Sequence, residues 1–304
     1  MAAVGRFAPT PSGRMHLGNV FAALVAWLSV KKDGGHMVLR MEDLDTQRTS
    51  KAFAEILRQD LLWLGLTWDE ETQPQSQRSE VYRDYFEKLE AMDLLYPCYC
   101  TRSQLHSVNA PHLSDGTYVY TGTCRNLTEE ERAAFHRVPA WRVKVPDQNW
   151  TVEDLIQGTY TENLATHCGD FVVRRADGVY VYQLAVTVDD ALAGVTQVVR
   201  GMDLLSSAPR QMYLQSLFGF PHPEYAHVPM LLSPGGRRLS KRDKDLDLGY
   251  LRQHTTAEKL IGVLAHSAGL LDTPVPISAK ELAEGFSLEK IRGEAIYLDG
   301  KSLF

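Results

Sequence analysis

The fold of this 304-residue chain is decided by one stretch near its start, Arg6-Phe7-Ala8-Pro9-Thr10-Pro11-Ser12-Gly13, which runs into His16-Leu17-Gly18-Asn19. The residues from Val4 to Pro9 are typical of a short buried strand. The segment from Asn19 to Lys32 has helical periodicity, with Val20, Leu24, Trp27 and Leu28 on one face. A strand-to-helix turn presents backbone N–H groups and a helix N-terminus to an anion. The pattern therefore predicts an α/β fold with a phosphate-binding turn.

A basic run far downstream, Arg238-Leu239-Ser240-Lys241-Arg242, forms a second motif. It follows a loop that Pro234-Gly235-Gly236 opens, so Lys241 can act as a mobile cation on a leaving phosphate group. Taken singly, the first motif is also explained by a surface His in a turn and the second by a solvated basic run. Their order and spacing favour one nucleotide-handling site to which both contribute.

Together the two motifs resemble the HIGH and KMSKS signatures of the class I aminoacyl-tRNA synthetases. Asn19 replaces the last His of the first signature and Arg238 the first Lys of the second. Further blocks are similar to those of the glutamyl branch, and the resemblance covers about residues 4 to 250. These blocks are Arg40-Met41-Glu42-Asp43-Leu44-Asp45, Gln75-Ser76-Gln77-Arg78, Tyr182-Gln183-Leu184-Ala185, Val188-Asp189-Asp190 and Val199-Arg200-Gly201-Met202-Asp203-Leu204.

The resemblance implies a Rossmann-like parallel sheet with an inserted zinc-binding subdomain of the acceptor-binding type and a short helical C-terminal part. Residues 1–95 are expected to form the first half of the catalytic domain and 96–168 the insertion. Residues 169–250 would form the second half with the KMSKS-like loop, and 251–304 the helical segment.

The resemblance also implies ATP, with Mg²⁺, as a substrate whose α-phosphorus is attacked by an amino-acid carboxylate. Such catalysis depends on positioning and on stabilising charge at phosphate oxygens. His16 and Lys241 are the expected catalytic residues. The expected ATP-binding residues are His16, Gly18, Asn19, Arg238, Ser240 and Lys241.

The amino acid implied is L-glutamate, which needs cations for two carboxylates and an acceptor for its ammonium group. Arg6 and Arg200 can grip carboxylates, Glu42 can pair with the α-amino group, and Tyr182 can complete the pocket. The alternative is an internal ion-pair network joining Arg6, Glu42 and Arg200, with Tyr182 in the core. The expected glutamate-binding residues are Arg6, Phe7, Ala8, Pro9, Thr10, Glu42, Tyr182 and Arg200.

Three of the four cysteines, Cys98, Cys100 and Cys124, lie close together in an irregular stretch. Small loop-rich subdomains often use a metal in place of a core, so a structural zinc site is expected, with free buried thiols as the alternative. The resemblance implies Tyr120 as the fourth ligand, whereas general zinc chemistry favours His112. The fourth cysteine, Cys168, is expected to be an ordinary buried thiol.

Only residues 242–304 follow Lys241, too few for the anticodon-binding part of a glutamyl-tRNA synthetase. The chain thus resembles the truncated branch, the glutamyl-queuosine tRNA(Asp) synthetases. The implied reaction is tRNA-independent activation of glutamate and its transfer to the queuosine base in the tRNA(Asp) anticodon stem-loop. Alternatives are a minimal glutamyl-tRNA synthetase charging a 3′ end and a non-catalytic synthetase-like RNA-binding module.

The composition, 44% hydrophobic with a net charge of −6, gives no global basic surface for nucleic acid. Arg237, Arg238, Lys241, Arg242 and Lys244 could form a local one, but Asp243, Asp245 and Asp247 interleave with them. The most apolar run, Leu17 to Val30, is shorter than the ~20 residues that cross a bilayer. We expect a cytoplasmic monomer with no membrane partner.

Periodicity and turn residues predict the remaining elements. Strands are expected at His36 to Arg40 and Trp141 to Val145. Asp170 to Val173 and Tyr180 to Tyr182 are expected to form a hairpin around Asp177-Gly178. Helices are expected at Lys51 to Leu64 (with Phe53, Ile56, Leu57, Leu61 and Leu64 inward), Ser79 to Leu95, Pro209 to Phe218 closed by Gly219, and Ala257 to Leu271.

Overall fold

The computed structural model describes residues 2–105, 119–237 and 247–299. Its strands are β1 (Val4–Phe7), β2 (His36–Leu39), β3 (Glu70–Glu71), β4 (Leu95–Cys98), β5 (Ala140–Val143), β6 (Asn149–Asp154), β7 (Gly158–Asn163), β8 (Phe171–Arg174), β9 (Gln197–Gly201), β10 (Glu224–Val228), β11 (Leu231–Leu232) and β12 (Ile296–Tyr297).

The helices are α1 (Leu17–Lys31), α2 (Lys51–Trp63), α3 (Ser79–Ala91), α4 (Arg102–Leu105), α5 (Glu129–Ala133), α6 (Leu164–His167), α7 (Tyr182–Leu192), α8 (Ser207–Phe218), α9 (Leu248–His254), α10 (Ala257–Ser267) and α11 (Ala279–Ala283). Short 3₁₀ turns occupy Gln75–Gln77, Met202–Leu204 and Leu288–Lys290. None of these helices combines the length and apolar character needed to cross a lipid bilayer.

The first sheet has the order β1-β2-β3 with all pairs parallel. Helix α1 connects β1 to β2, as expected for a parallel crossover. It is buried on nearly every side and packs into the main core, so its apolar residues form a broad surface rather than one stripe. The turn between β1 and α1 is thereby held at the carboxyl end of the sheet, where ligands bind in open α/β folds.

The second sheet has the order β7-β6-β10-β9, with β9, β10 and β6 parallel and β7 antiparallel. It meets the first sheet where the Thr196 N–H donates to the Val4 carbonyl at 2.9 Å. The carboxyl ends of β1 and β9 therefore lie side by side, and they carry Arg6 and Arg200.

A third, antiparallel sheet has the order β4-β5-β8. This sheet joins β4 to β5, which precedes residue 168, and to β8, which follows it. The β6–β7 hairpin belongs to the second sheet. The four-part division of the chain remains a proposal. Helix α10 belongs to the same core as α1, to which it contributes Leu260 and Leu264.

Three local expectations differ from the structure. The helix expected to reach Leu95 ends at Ala91, because Asp93 turns the chain with a φ of +54° and β4 follows. The expected hairpin is shorter than predicted: Arg174 bridges Tyr180 and the Val181 N–H donates to the Val173 carbonyl at 3.1 Å, but Tyr182 begins helix α7. Phe53, expected inward, is 37% exposed.

Gly169 links α6 to the strand β8 at a point with no room for a side chain. Its φ is +65°, and an added Cβ would lie 1.9 Å from the Tyr120 carbonyl oxygen. We expect Gly169→Ala to lower the free energy of unfolding by about 2–4 kcal/mol, from backbone strain plus the clash. Gly194 has the same φ with nothing within 4 Å, so Gly194→Ala should cost only about 1–2 kcal/mol in chemical denaturation. Equal losses would contradict the steric explanation.

Candidate functional site

A cavity of about 440 Å³ opens where the β1–α1 turn meets the carboxyl end of β9. Every residue expected to bind glutamate lines it, as do the three described residues expected to bind ATP. These are Arg6, Phe7, Ala8, Pro9, Thr10, Glu42, Tyr182 and Arg200, together with His16, Gly18 and Asn19. The remaining expected ATP-binding residues, Arg238, Ser240 and Lys241, lie outside the described residues.

The turn before α1 forms the part of the cavity suited to an anion. His16 is the N-cap of α1 in extended conformation, and Asn19, in the first turn of the helix, is exposed. A Cβ on Gly18 would come within 3.2 Å of the His16 imidazole. Glycine thus leaves room for the ring at a helix N-terminus, where phosphate oxygens are stabilised.

The residues that follow the KMSKS-like motif are anchored beside this turn. Asp247 pairs with His16 in an antiparallel bridge, and the Leu248 N–H donates to the Met15 carbonyl at 3.2 Å. The chain just after the second motif therefore contacts the turn of the first motif through its backbone.

A buried carboxylate reinforces that junction. Asp60 of α2 accepts hydrogen bonds from Arg14, in the turn, at 3.2 Å and from Arg252, in α9, at 2.8 Å. Burial raises the pKa of Asp60, although Arg252 and Arg14 act in the opposite direction. This acid was not singled out in the sequence. Its signal is an Asp on the apolar face of a helix, next to Leu57 and Leu61.

Arg6 and Arg200 both line the cavity, and each is 5% exposed. The Nε of Arg6 faces Asp190 at 3.4 Å, and its Nη1 donates to the Val199 carbonyl at 3.1 Å. Arg200 donates to the Tyr182 hydroxyl at 3.4 Å, which links two residues expected to bind glutamate.

Glu42 forms an ion pair with Arg40, at 3.2 Å, rather than with Arg6 or Arg200. Burial raises the pKa of Glu42, an effect that Arg40 and Arg6 only partly offset. Burial also acts on Asp190, but there Arg40 and Arg6 hold the pKa below its ordinary value. A buried network does exist, as the alternative interpretation expected. Its centre, however, is Arg40 with Asp189 and Asp190, whereas Arg200 hydrogen-bonds to residues outside that network.

The residues that sequence reasoning missed are those behind the cavity wall. Arg40, Asp189 and Asp190 stood in the quoted blocks without a role, and His227 and Gln211 were not considered. The available signal was charge in apolar surroundings. Arg40 follows Met37-Val38-Leu39, and Asp189-Asp190 ends an apolar stretch of α7.

The sulfur atoms of Cys98, Cys100 and Cys124 lie within 4.8 Å of one another. Cys100 and Cys124 are 3.6 Å apart, close to the about 3.8 Å expected between two thiolates of a tetrahedral zinc site. The Tyr120 hydroxyl lies 3.5 Å from the Cys98 sulfur. His112 lies outside the described residues. Cys168 is buried elsewhere, with its thiol donating to the Leu164 carbonyl.

The Asp60 contacts lead to a stability prediction. Asp60→Ala should lower the free energy of unfolding by about 1–3 kcal/mol, because Arg14 and Arg252 lose the acceptor that they share and a buried side chain is removed. Glu55, an exposed partner of Arg58 on the same helix, provides the control. Glu55→Ala should cost less than about 0.5 kcal/mol in the same denaturation experiment. A loss at Asp60 no larger than at Glu55 would show that the junction adds nothing to stability.

Comparison with known proteins identifies the family. Residues 3–261 match the model for the catalytic domain of class I tRNA synthetases (E and Q). The chain is 46% identical to the glutamyl-Q tRNA(Asp) synthetase of Symbiobacterium thermophilum, over 98% of this chain and 97% of that protein. It is 44% identical to that of Nitratidesulfovibrio vulgaris, over 91% and 90%.

Among solved structures, a glutamate tRNA ligase from Elizabethkingia meningosepticum in complex with its amino acid is similar, with a TM-score of 0.86. The match is 28% identical and covers 100% of this chain and 68% of the ligase. The α/β fold with its parallel sheet is thus that of a class I synthetase. The chain belongs to the class I (E and Q) tRNA synthetases, a family of ligases, and within it to the glutamyl-Q tRNA(Asp) synthetases.

Proposed function

We propose that this chain activates L-glutamate with ATP, without needing RNA, and transfers the glutamyl group to the queuosine base at the wobble position of tRNA(Asp). The observation that carries the proposal is one cavity in which a helix N-terminus faces two buried arginines and Glu42. Relatives named for the queuosine reaction are 44–46% identical, whereas the glutamate tRNA ligase is 28% identical. This difference favours the modified base over a tRNA 3′ end as acceptor.

Glutamate fits the charges of the cavity. Arg6 and Arg200 supply guanidinium groups for its two carboxylates, and Glu42 supplies a carboxylate for its ammonium group. Tyr182 contacts Arg200 and lines the same cavity. A neutral glutamine side chain would leave an arginine without its anion, which is costly in a buried site.

ATP, bound with Mg²⁺, would place its phosphates on the turn before α1. The α-carboxylate oxygen of glutamate attacks the α-phosphorus while the bond to pyrophosphate breaks, which gives glutamyl-adenylate. His16 would donate to the α-phosphate, and the downstream motif with Lys241 would balance the charge of pyrophosphate. The acceptor base then displaces AMP. We place the reaction in the cytoplasm, where ATP and tRNA are both available.

A second cavity, of about 310 Å³, gives the acceptor base a place to enter. It shares Thr10, Glu42 and Tyr182 with the first cavity. Tyr180 and Arg175 are among its lining residues. Bases splayed out of RNA loops commonly stack on aromatic rings and guanidinium planes, so we infer that a nucleobase would approach the activated glutamate from this side.

Transfer of labelled glutamate tests the proposal. Label should appear on tRNA(Asp) that contains queuosine, and neither on tRNA(Asp) that lacks it nor on tRNA(Glu). Label on the 3′ end of tRNA(Glu) would instead establish a minimal charging enzyme. No label on any tRNA, combined with no ATP–pyrophosphate exchange, would favour a non-catalytic RNA-binding module.

We further propose that Cys98, Cys100 and Cys124, with Tyr120, hold a structural zinc ion. Purified protein should contain about one zinc per chain, and Cys98→Ser should lose most of it and melt at a lower temperature, because the small sheet depends on the metal. Cys168→Ser, which removes a buried thiol outside the cluster, is the control and should retain the zinc. Wild-type protein that is purified without zinc, and whose melting temperature does not change when a chelator is added, would refute the site. Metal analysis and thermal unfolding provide both readouts.

A further inference from the structure

The guanidinium of Arg200 donates hydrogen bonds to several groups of the protein itself. Its Nε donates to His227 Nε2 at 2.9 Å, and its Nη1 donates to Gln211 Oε1 at 2.8 Å. Its Nη2 donates to the Leu204 carbonyl at 3.3 Å. The Nε contact occupies the inner edge of the guanidinium, and Nη1 also donates to the Tyr182 hydroxyl, so these contacts together fix how the guanidinium is presented to the cavity that Arg200 lines.

His227 lies on β10 directly opposite Arg200 of β9 in the parallel register. Its side chain is completely buried, and its Nδ1 lies 2.5 Å from Asp154 Oδ2. Asp154, at the end of β6, is itself fixed by the backbone. It accepts from the N–H groups of His227, Ile156 and Gln157 at 3.1, 3.0 and 2.8 Å. Three neighbouring strands thus contribute one residue each to a line of contacts.

The protonation states along this line follow from donor and acceptor chemistry. An arginine Nε is always a donor, so His227 Nε2 must accept and its proton must reside on Nδ1. That Nδ1–H donates to the Asp154 carboxylate, which fixes the tautomer. An imidazolium would set a second N–H against the Arg200 N–H. Burial lowers the pKa of His227 and Arg200 lowers it further, although Asp154 acts in the opposite direction.

We infer that Asp154 and His227 are positioning residues that set the direction of the Arg200 guanidinium and thereby the affinity of the site for a glutamate carboxylate. This inference rests on the proposed function. Neither residue lines the cavity, so both act through Arg200. The arrangement follows the same logic as a carboxylate that selects the tautomer of a catalytic imidazole, with a guanidinium in place of the nucleophile.

Two variants of His227 separate positioning from packing. His227→Gln can place an amide oxygen near the position of Nε2, which keeps an acceptor for Arg200. His227→Asn is shorter, reaches only the position of Nδ1, and removes that acceptor. Asp154→Asn can keep its oxygen on the backbone N–H groups and turn its NH₂ toward Nδ1. That change would favour the opposite tautomer, with a proton on Nε2 facing Arg200.

The experiment measures glutamate- and ATP-dependent pyrophosphate exchange and the melting temperature of each variant. His227→Asn and Asp154→Asn should raise the KM for glutamate about 10- to 100-fold, the usual effect of losing a charge-assisted hydrogen bond. Their KM for ATP should stay within about twofold, and His227→Gln should recover most of the glutamate affinity. Exposed His222, which contacts Gln215 outside the cavity, supplies the controls His222→Asn and His222→Gln, both expected to match wild type.

The possible failures are distinguishable. Suppose that wild type exchanges with glutamate but His227→Gln and His227→Asn behave alike, or that the variants raise the KM for glutamate and the KM for ATP together. The positioning role is then overturned and the proposed function stands. A wild type that shows no exchange with glutamate overturns both. Nitrogen NMR of the histidine side chains adds an independent readout. The signal that disappears in His227→Gln belongs to His227. If it reports a proton on Nδ1 and none on Nε2, it supports the inference, and the opposite tautomer refutes it.

Discussion

The Arg40 guanidinium lies fully buried just after β2 and forms ion pairs with Asp190, Glu42 and Asp189 at 2.6, 3.2 and 3.8 Å. Burial acts to lower the pKa of Arg40, but the three carboxylates together raise it above its ordinary value. Asp189 and Asp190 belong to α7, so this one cation joins the first sheet to the second half of the chain. A buried cation that lost these partners would be strongly unfavourable, and the two halves are therefore held in one fixed relation.

The charges of the cavity depend on that relation. Asp190 shares its carboxylate between Arg40 and Arg6, while Arg40 also orients Glu42. The neighbouring Asp189 accepts hydrogen bonds from the side chains of Arg78, Gln75 and Tyr82. Buried ion clusters contribute little net stability compared with apolar packing. The advantage of this one is preorganisation, because the groups that would meet glutamate are already aligned before it arrives.

The sequence was most informative where local pattern and motif coincide. The strand and helix around His16 and the closure of α8 at Gly219, with a φ of +71°, follow from residue type alone. The positions of Arg6, Glu42, Tyr182 and Arg200 around one cavity also agree with the expectation, although their roles remain proposals. The partners of these residues could not be read from the sequence. Contacts such as Arg40 with Asp190 or Arg200 with His227 depend on which strands and helices become neighbours, which no local pattern encodes.

The local errors have the same origin. Tyr180 to Tyr182 has a strand-like composition, but it pairs with β8 only through Tyr180 and Val181 before Tyr182 starts α7, which packs against α3, α8 and β8. Phe53 lies one turn before Leu57 on the same face of α2, yet it is 37% exposed, because the first turn of this helix is exposed and burial begins only at Leu57. Periodicity identifies an apolar face but does not say how wide a surface the rest of the fold will cover.

The central claim is that a preorganised set of buried charges selects and activates glutamate without RNA. It is tested most directly by ATP–pyrophosphate exchange in the absence of tRNA, with glutamate, glutamine and aspartate compared at equal concentrations. We expect exchange with glutamate and almost none with glutamine, which leaves an arginine unpaired. Aspartate should be weaker by the roughly 1–3 kcal/mol that one methylene is worth. Exchange that requires tRNA, or equal exchange with glutamine, would contradict the account.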